Sequence, residues 1–160
     1  MAVFTKLGQA DIINVQNIFE FGKIQSFKGI KKGIENTNYI IKTKKEKYVL
    51  TIFERRVKHK DLPYFMELMA ALSRRGVKCP RPIKNKFGKY LFNCKRKKAC
   101  LVSFLEGNDK KNLSENDLLV IGKKIGLMHK KFKGIKLKRK NSFSPLKING
   151  LINKINIKNS

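Results

Sequence analysis

The stretch G-I-K-K-G-I-E-N-T-N, Gly29 to Asn38, is the segment of this 160-residue chain whose residue types best suit ligand chemistry. Glycine has no Cβ, so a ligand can approach the backbone closely, and successive N–H groups in a turn attract anions. Gly29 and Gly33 supply that room, and Asn36 and Asn38 can hydrogen-bond the loop backbone and hold its shape. The same residues also make an ordinary hairpin loop, so the pattern alone leaves both readings open. Other reactive groups are sparse. Cys79, Cys94 and Cys100 are odd in number and form no C-x-x-C pair. That argues against a disulfide framework and a zinc site, and it fits small buried hydrophobes. His129 reads as a packed or surface residue and not as a base.

The elements around this stretch follow from periodicity. Ile12, Ile13, Val15 and Ile18 suit a short amphipathic helix over Ala10 to Phe19. Three strands are predicted at Lys23–Ile30, Thr37–Thr43 and Tyr48–Phe53. The run Y-V-L-T-I-F is nearly all apolar, as a strand covered on both faces should be. A helix from Leu62 to Arg75 has Asp61 as its expected N-cap, Pro63 in its first turn and Gly76 as its stop. Its residues Phe65, Met66, Met69 and Leu72 share a face that should pack on the sheet. Pro80 and Pro82 force an extended connector. Ile83, Tyr90–Cys94 and Ala99–Phe104 read as further strands around a turn at Asn85–Lys89. A second helix, Glu115–Phe132, is capped by Ser114 with Asp117 in a capping-box position. Leu118, Ile121, Ile125, Met128 and Phe132 form its apolar stripe. Scattered apolar residues over Leu146–Ile157 suggest the start of another helix that needs a partner.

Composition narrows the setting. The net charge is +27, from 38 Lys plus Arg against 11 Asp plus Glu. Such a charge attracts polyanions nonspecifically at low salt. It is spread along a chain rich in Lys, Ile and Asn, which points to compositional bias before a selected nucleic-acid role. No zinc-finger spacing or RNP-type aromatic motif is present. No apolar run nears the roughly 20 residues that span a bilayer. Met1–Lys6 lacks the basic-then-apolar start of a secretory signal, so a soluble cytoplasmic protein is expected.

Six collinear segments carry a family resemblance: F-K-G-I-K-K-G-I-E-N-T-N-Y-I-I-K-T from Phe27, Y-V-L-T-I-F-E-R-R-V from Tyr48, D-L-P-Y-F-M-E-L-M from Asp61, R-G-V-K-C-P-R-P-I from Arg75, L-V-S-F-L-E-G from Leu101, and the opening M-A-V-F-T. They resemble the homoserine kinases of the aminoglycoside-phosphotransferase and protein-kinase-like superfamily, from Met1 to about Phe132. The resemblance implies an α+β fold: a protein-kinase-like amino-terminal lobe, with an antiparallel sheet of about five strands and a packed helix, over residues 1–107. The first helix of an incomplete helical lobe would follow over residues 108–160. It also implies ATP-dependent phosphorylation of the homoserine hydroxyl, a step toward threonine, with ATP and Mg²⁺ as cofactors and nucleotide and L-homoserine as partners.

The resemblance implies site roles as well. The Gly29–Asn38 loop would lie over the triphosphate. Thr51 takes the place where the wider superfamily has the phosphate-gripping lysine of V-A-I-K. That leaves the cation open among Lys42, Arg55 and Arg56, each of which also reads as a solvated surface charge. Glu67 sits where kinases place the carboxylate that orients this cation, and it equally fits a solvated helix face. Phe104–Gly107, including Glu106, would be the hinge whose main chain reads adenine, with Val102 and Phe104 lining the pocket or simply packing in the core.

Phosphoryl transfer also needs an orienting Asp and metal ligands, which the superfamily takes from an H-x-D-x-x-x-x-N loop and a later Asp. His59-Lys60-Asp61-Leu62 resembles the start of that loop, but Met66 stands where its Asn belongs. The segment also precedes the first long helix, so it is read as a chance match. The chain is therefore expected to be a truncated form, inactive alone, whose partner would be the missing C-terminal lobe. The alternatives are a basic nucleic-acid-binding module, or a superfamily kinase for another small alcohol such as choline or an aminoglycoside.

Overall fold

The computed structural model describes residues 3–55, 58–140, 144–145 and 148–152. Helix α1 (Gln9–Ile18) leads into strands β1 (Ile24–Gly29), β2 (Thr37–Thr43) and β3 (Lys47–Ile52). Helix α2 (Leu62–Arg74), strands β4 (Leu91–Cys94) and β5 (Lys97–Ser103), and helix α3 (Glu115–Phe132) follow. The strands form one antiparallel sheet of order β1-β2-β3-β5-β4. This is the five-stranded sheet with a packed helix that the sequence predicts.

Alternation along the strands divides the sheet into two faces. Tyr39, Ile41, Tyr48, Leu50, Ile52 and Leu101 point to the α1 side and bury against Ile12, Val15 and Phe19. The opposite face gives Cys100 and Val102, which pack with Leu62 and Met66 of α2 and with Phe53. β3 is buried on the α1 side, but Val49 and Thr51 on its other face are only partly buried and line a cleft, so the cover on both faces that its apolar run suggests is incomplete. Each fully buried side chain such as Leu50 or Ile52 contributes roughly 1.5–3 kcal/mol.

The segment before α1 is tied across the sheet by polar groups. Thr37 Oγ1 accepts from the N–H groups of Phe4 (2.9 Å) and Thr5 (3.0 Å). The Tyr39 hydroxyl accepts from Leu7 N–H at 2.9 Å and donates to the Thr5 carbonyl at 3.0 Å. The same close approach explains Gly29: a Cβ there would lie 2.9 Å from Val3 Cγ2.

Helix ends follow the sequence with one correction. Gly76 (φ +77°) ends α2, Pro63 lies in its first turn, and Ser114 and Asp117 form the capping box of α3. Asp61 does not cap α2 with its side chain. A 3-10 turn over His59–Asp61 leads into the helix, and the Asp61 carboxylate instead pairs with Arg139 at 3.0 Å. Ile83 is also not part of a strand. Pro80 and Pro82 have no N–H to give a ladder, so an isolated bridge from Pro82 to Val102 forms there, with Ile83 N–H donating to the Leu101 carbonyl and Ser103 N–H to the Arg81 carbonyl at 2.9 Å each.

α3 has no buried residue. The predicted stripe Leu118, Ile121, Ile125, Met128 and Phe132 is 37–55% exposed. The Arg75 guanidinium holds the end of this helix to α2, donating to the carbonyls of Lys131 and Lys133 at 2.6 Å each. Residues 148–152 are helical, and the remainder of the predicted tail helix falls largely outside the described residues. Among the described residues, no helix is long and apolar enough to cross a membrane.

Candidate functional site

A cleft of about 640 Å³ opens between the α2 face of the sheet and α2 itself. Its walls come from the strand positions that alternate away from the α1 core. Asn38 lines it from β2, Val49 and Thr51 from β3, Cys100 and Val102 from β5. Phe65, Met66 and Met69 close it from α2, and Phe104 and Leu105 form its edge where β5 ends. The lining is predominantly apolar, with Asn38, Thr51 and Ser103 as its polar side chains. Such an apolar slot with a few placed polar groups suits a flat, partly polar ligand.

Of the glycine–asparagine stretch, Ile30 and Asn38 line this cleft, whereas Gly29, Gly33 and Asn36 do not. β1 ends at Gly29 and β2 begins at Thr37, so residues 30–36 form the connecting loop. Ile30 N–H donates to the Asn38 carbonyl at 2.8 Å, which extends the pairing past the strand ends. Gly33 has φ +119°, a conformation that residues with a side chain rarely adopt. Asn36 Oδ1 accepts from Glu54 N–H at 3.3 Å, fastening the loop to the end of β3. Asn38 bonds a side chain and not the loop backbone: its Oδ1 accepts from the Thr51 hydroxyl at 2.7 Å. At the loop tip, Lys32 pairs with Asp109 in the segment between β5 and α3 at 2.8 Å, both largely in solvent.

Glu54 organises the base of the loop. Its carboxylate accepts from the hydroxyls of Thr5 and Thr37 at 2.7 Å each and from the Lys97 ammonium. Burial alone would raise its pKa, but the donors Lys97, Thr5 and Thr37 outweigh burial and hold it below the ordinary carboxylate value. Cys100, in the wall of the cleft, is pushed up to about 12 by burial, so its thiol stays protonated at neutral pH.

The other predicted residues are dispersed. Phe104 edges the cleft, and its N–H donates to the Lys47 carbonyl at 3.1 Å. The Lys47 ammonium lies 5.4 Å from the Phe104 ring centre and pairs with Glu106 at 2.7 Å, so Glu106 braces the segment after β5 from outside the cleft. Among the described residues, the N–H groups of Leu105 and Glu106 have no hydrogen-bond partner. Lys42 and Arg55 are exposed and do not line the cleft, and Arg56 lies outside the described residues. Glu67 is exposed and lines a separate, smaller cleft with Pro63, Lys89 and Tyr90 on the other flank of α2. His129 is exposed on α3.

Sequence reasoning missed Glu54, Lys97, Val49, Cys100 and the α2 residues as parts of this site. The strand residues were available from parity: in β3 and β5 the residues between core positions must face the other side. The Glu54 hub joins residues 5, 37, 54 and 97, which only the folded sheet brings together.

Comparison with known proteins places this arrangement. Residues 26–147 match the profile of the phosphotransferase enzyme family, APH. Homoserine kinase from Sinorhizobium medicae is 37% identical over 144 residues, covering 90% of this chain and 44% of that protein. Homoserine kinase from Rhodopseudomonas palustris is 36% identical over 150 residues, covering 94% and 45%. The chain thus spans a little under half the length of these relatives. Among solved structures, a spectinomycin phosphotransferase in complex with ADP and spectinomycin superposes with a TM-score of 0.66 at 17% identity, covering 94% of this chain and 47% of that one. A microcompartment-associated aminopropanol kinase superposes with a TM-score of 0.59 at 13% identity, covering 85% and 44%. At such identities these structures speak for the fold alone. The matched profile spans most of the chain, so this protein belongs to the phosphotransferase enzyme family, with a kinase-like amino-terminal lobe.

Proposed function

We propose that this chain is the nucleotide-binding half of an ATP-dependent kinase that phosphorylates the hydroxyl of L-homoserine. The observation that carries the reading is the cleft between the sheet and α2, lined by Ile30 at the start of the loop of residues 30–36 and edged by Phe104 and Leu105. A purine ring fits a slot walled by Val49, Met69, Cys100 and Val102. The Leu105 and Glu106 N–H groups are available to read its edge, whatever side chains the hinge carries. The loop over residues 30–36 would cover the phosphates, with Gly33 permitting its turn and Asn36 holding its end. Thr51, tied to Asn38, borders the slot where most kinases place a lysine.

Mg²⁺, bound with ATP, would supply charge neutralisation of the phosphates. Among the described residues, no three His, Cys, Asp or Glu side chains come together as a metal site. In this reading the metal ligands and the orienting Asp belong to a second lobe, residues 1–107 form the first lobe with its hinge, and residues 108–160 begin the second. An ADP complex and an AMP complex among the structural neighbours, and homoserine kinases among the sequence relatives, support the choice of cofactor and substrate. The 35–37% identity to homoserine kinases favours homoserine over the alcohols handled by the more distant neighbours.

The purified chain should bind ADP weakly by calorimetry and should show no homoserine-dependent ATP turnover in a coupled assay. Joined to the C-terminal half of a relative, it should regain turnover with L-homoserine. Turnover with spectinomycin or aminopropanol instead would overturn the substrate assignment.

A further inference from the structure

On the opposite face of the sheet from the cleft lies a larger groove, of about 860 Å³, which shares no lining residue with it. Its cations come from three separated segments: Lys23 before β1, Lys44 and Lys45 in the β2–β3 turn, and Arg81, Lys84 and Lys86 in the connector before β4. Six of the fourteen lining residues are thus Lys or Arg, against two Glu. Among the described residues none of the six has a carboxylate partner. The acidic members are Glu20 and Glu46, and Glu46 is engaged by the Tyr48 hydroxyl at 2.8 Å.

The floor is rigid. Phe21 stacks on Tyr48 with ring centres 5.1 Å apart, and Ile83 packs against the same core. The Asn85 side chain fixes the adjoining turn, its Oδ1 accepting from the N–H groups of Phe87 and Lys89 at 3.0 Å each. That turn presents Phe87 to solvent with 68% of its surface exposed, and Lys86 lies 5.4 Å from its ring centre. Lys84 likewise lies 5.4 Å from the Tyr90 ring centre. An exposed phenyl ring beside a groove of cations without carboxylate partners combines a stacking platform with a track for phosphates.

We propose that this groove binds single-stranded nucleic acid, the cations following the phosphate backbone and Phe87 stacking on a base. The surface is independent of the kinase reading, because it lies across the sheet from the nucleotide cleft.

Fluorescence anisotropy with a short labelled oligouridylate tests this on the full chain. K44E/K45E/K84E should weaken binding at least about tenfold and flatten the salt slope by about two. K123E/K124E/K130E on α3, an equal change in net charge, should alter affinity by less than about threefold. Phe87→Ala should weaken oligouridylate binding about fivefold or more and leave inorganic polyphosphate binding unchanged. Equal losses in the two triple variants would show diffuse attraction by net charge and overturn the site. An unaffected Phe87→Ala with polyphosphate binding as tight as oligouridylate would overturn the nucleic-acid assignment. Circular dichroism of each variant confirms that these surface changes leave the fold intact.

Discussion

The Thr51 hydroxyl and the Asn38 side-chain amide meet across β3 and β2 at 2.7 Å, on the face of the sheet that walls the cleft beside α2. Two of the cleft's three polar side chains are thus hydrogen-bonded to each other. Replacing Thr51 with Val keeps the shape and leaves the amide oxygen without its donor. The expected loss is about 1 kcal/mol of stability, read as a lower midpoint in urea denaturation. An unchanged midpoint would mean that the pair contributes nothing to the fold.

Glu54 makes the protein acid-sensitive. Its carboxyl is held below the ordinary value near 4.5, so the folded state prefers the charged form. The stabilisation is complete above the unfolded value and is lost as pH falls through the lower folded value. Stability should therefore drop below about pH 4.5, and Glu54→Gln should flatten that limb of the curve while costing about 1–3 kcal/mol at neutral pH. Denaturation midpoints across pH check both the sign and the difference.

Much of this architecture was legible beforehand. The strand at Thr37–Thr43 and the helix at Glu115–Phe132 fall where periodicity and capping residues place them. The less legible parts depend on contacts between distant segments. Gly29 invites a reading as space for a ligand, but its missing Cβ accommodates Val3, which a local pattern cannot reveal. Asp61 has the residue type of an N-cap, yet Arg139, far along the chain, draws its carboxylate away. Glu67 lies on the predicted helix, on the flank that it shares with Lys89 and Tyr90 and not on the one that lines the larger cleft.

Gly29→Ala should strain the tether before α1. Its new methyl group would lie 2.9 Å from a methyl of the stiff Val3 side chain, so one segment has to move. A loss of about 1–3 kcal/mol is expected. Hydrogen exchange should quicken at the Phe4 and Thr5 amides, which bond to Thr37. Protection unchanged at those amides would contradict the tether.

The apolar face of α3 should drive self-association of the isolated chain. Ile121 and Ile125 are 42% and 47% exposed, so Ile121→Lys with Ile125→Lys should raise solubility without lowering the denaturation midpoint. Sedimentation velocity should show the association constant falling at least about tenfold. A lower midpoint would instead place these side chains in the folded core.

The most direct measurement is a nitrogen–proton NMR titration of the chain with ADP. Amide shifts should concentrate at Thr51, at Val102 through Glu106 and in the loop of residues 30–36, and Met69→Trp, which fills the cleft, should abolish them. Shifts confined to Lys44, Lys84 and their neighbours, with the hinge silent at saturating nucleotide, would contradict the kinase account.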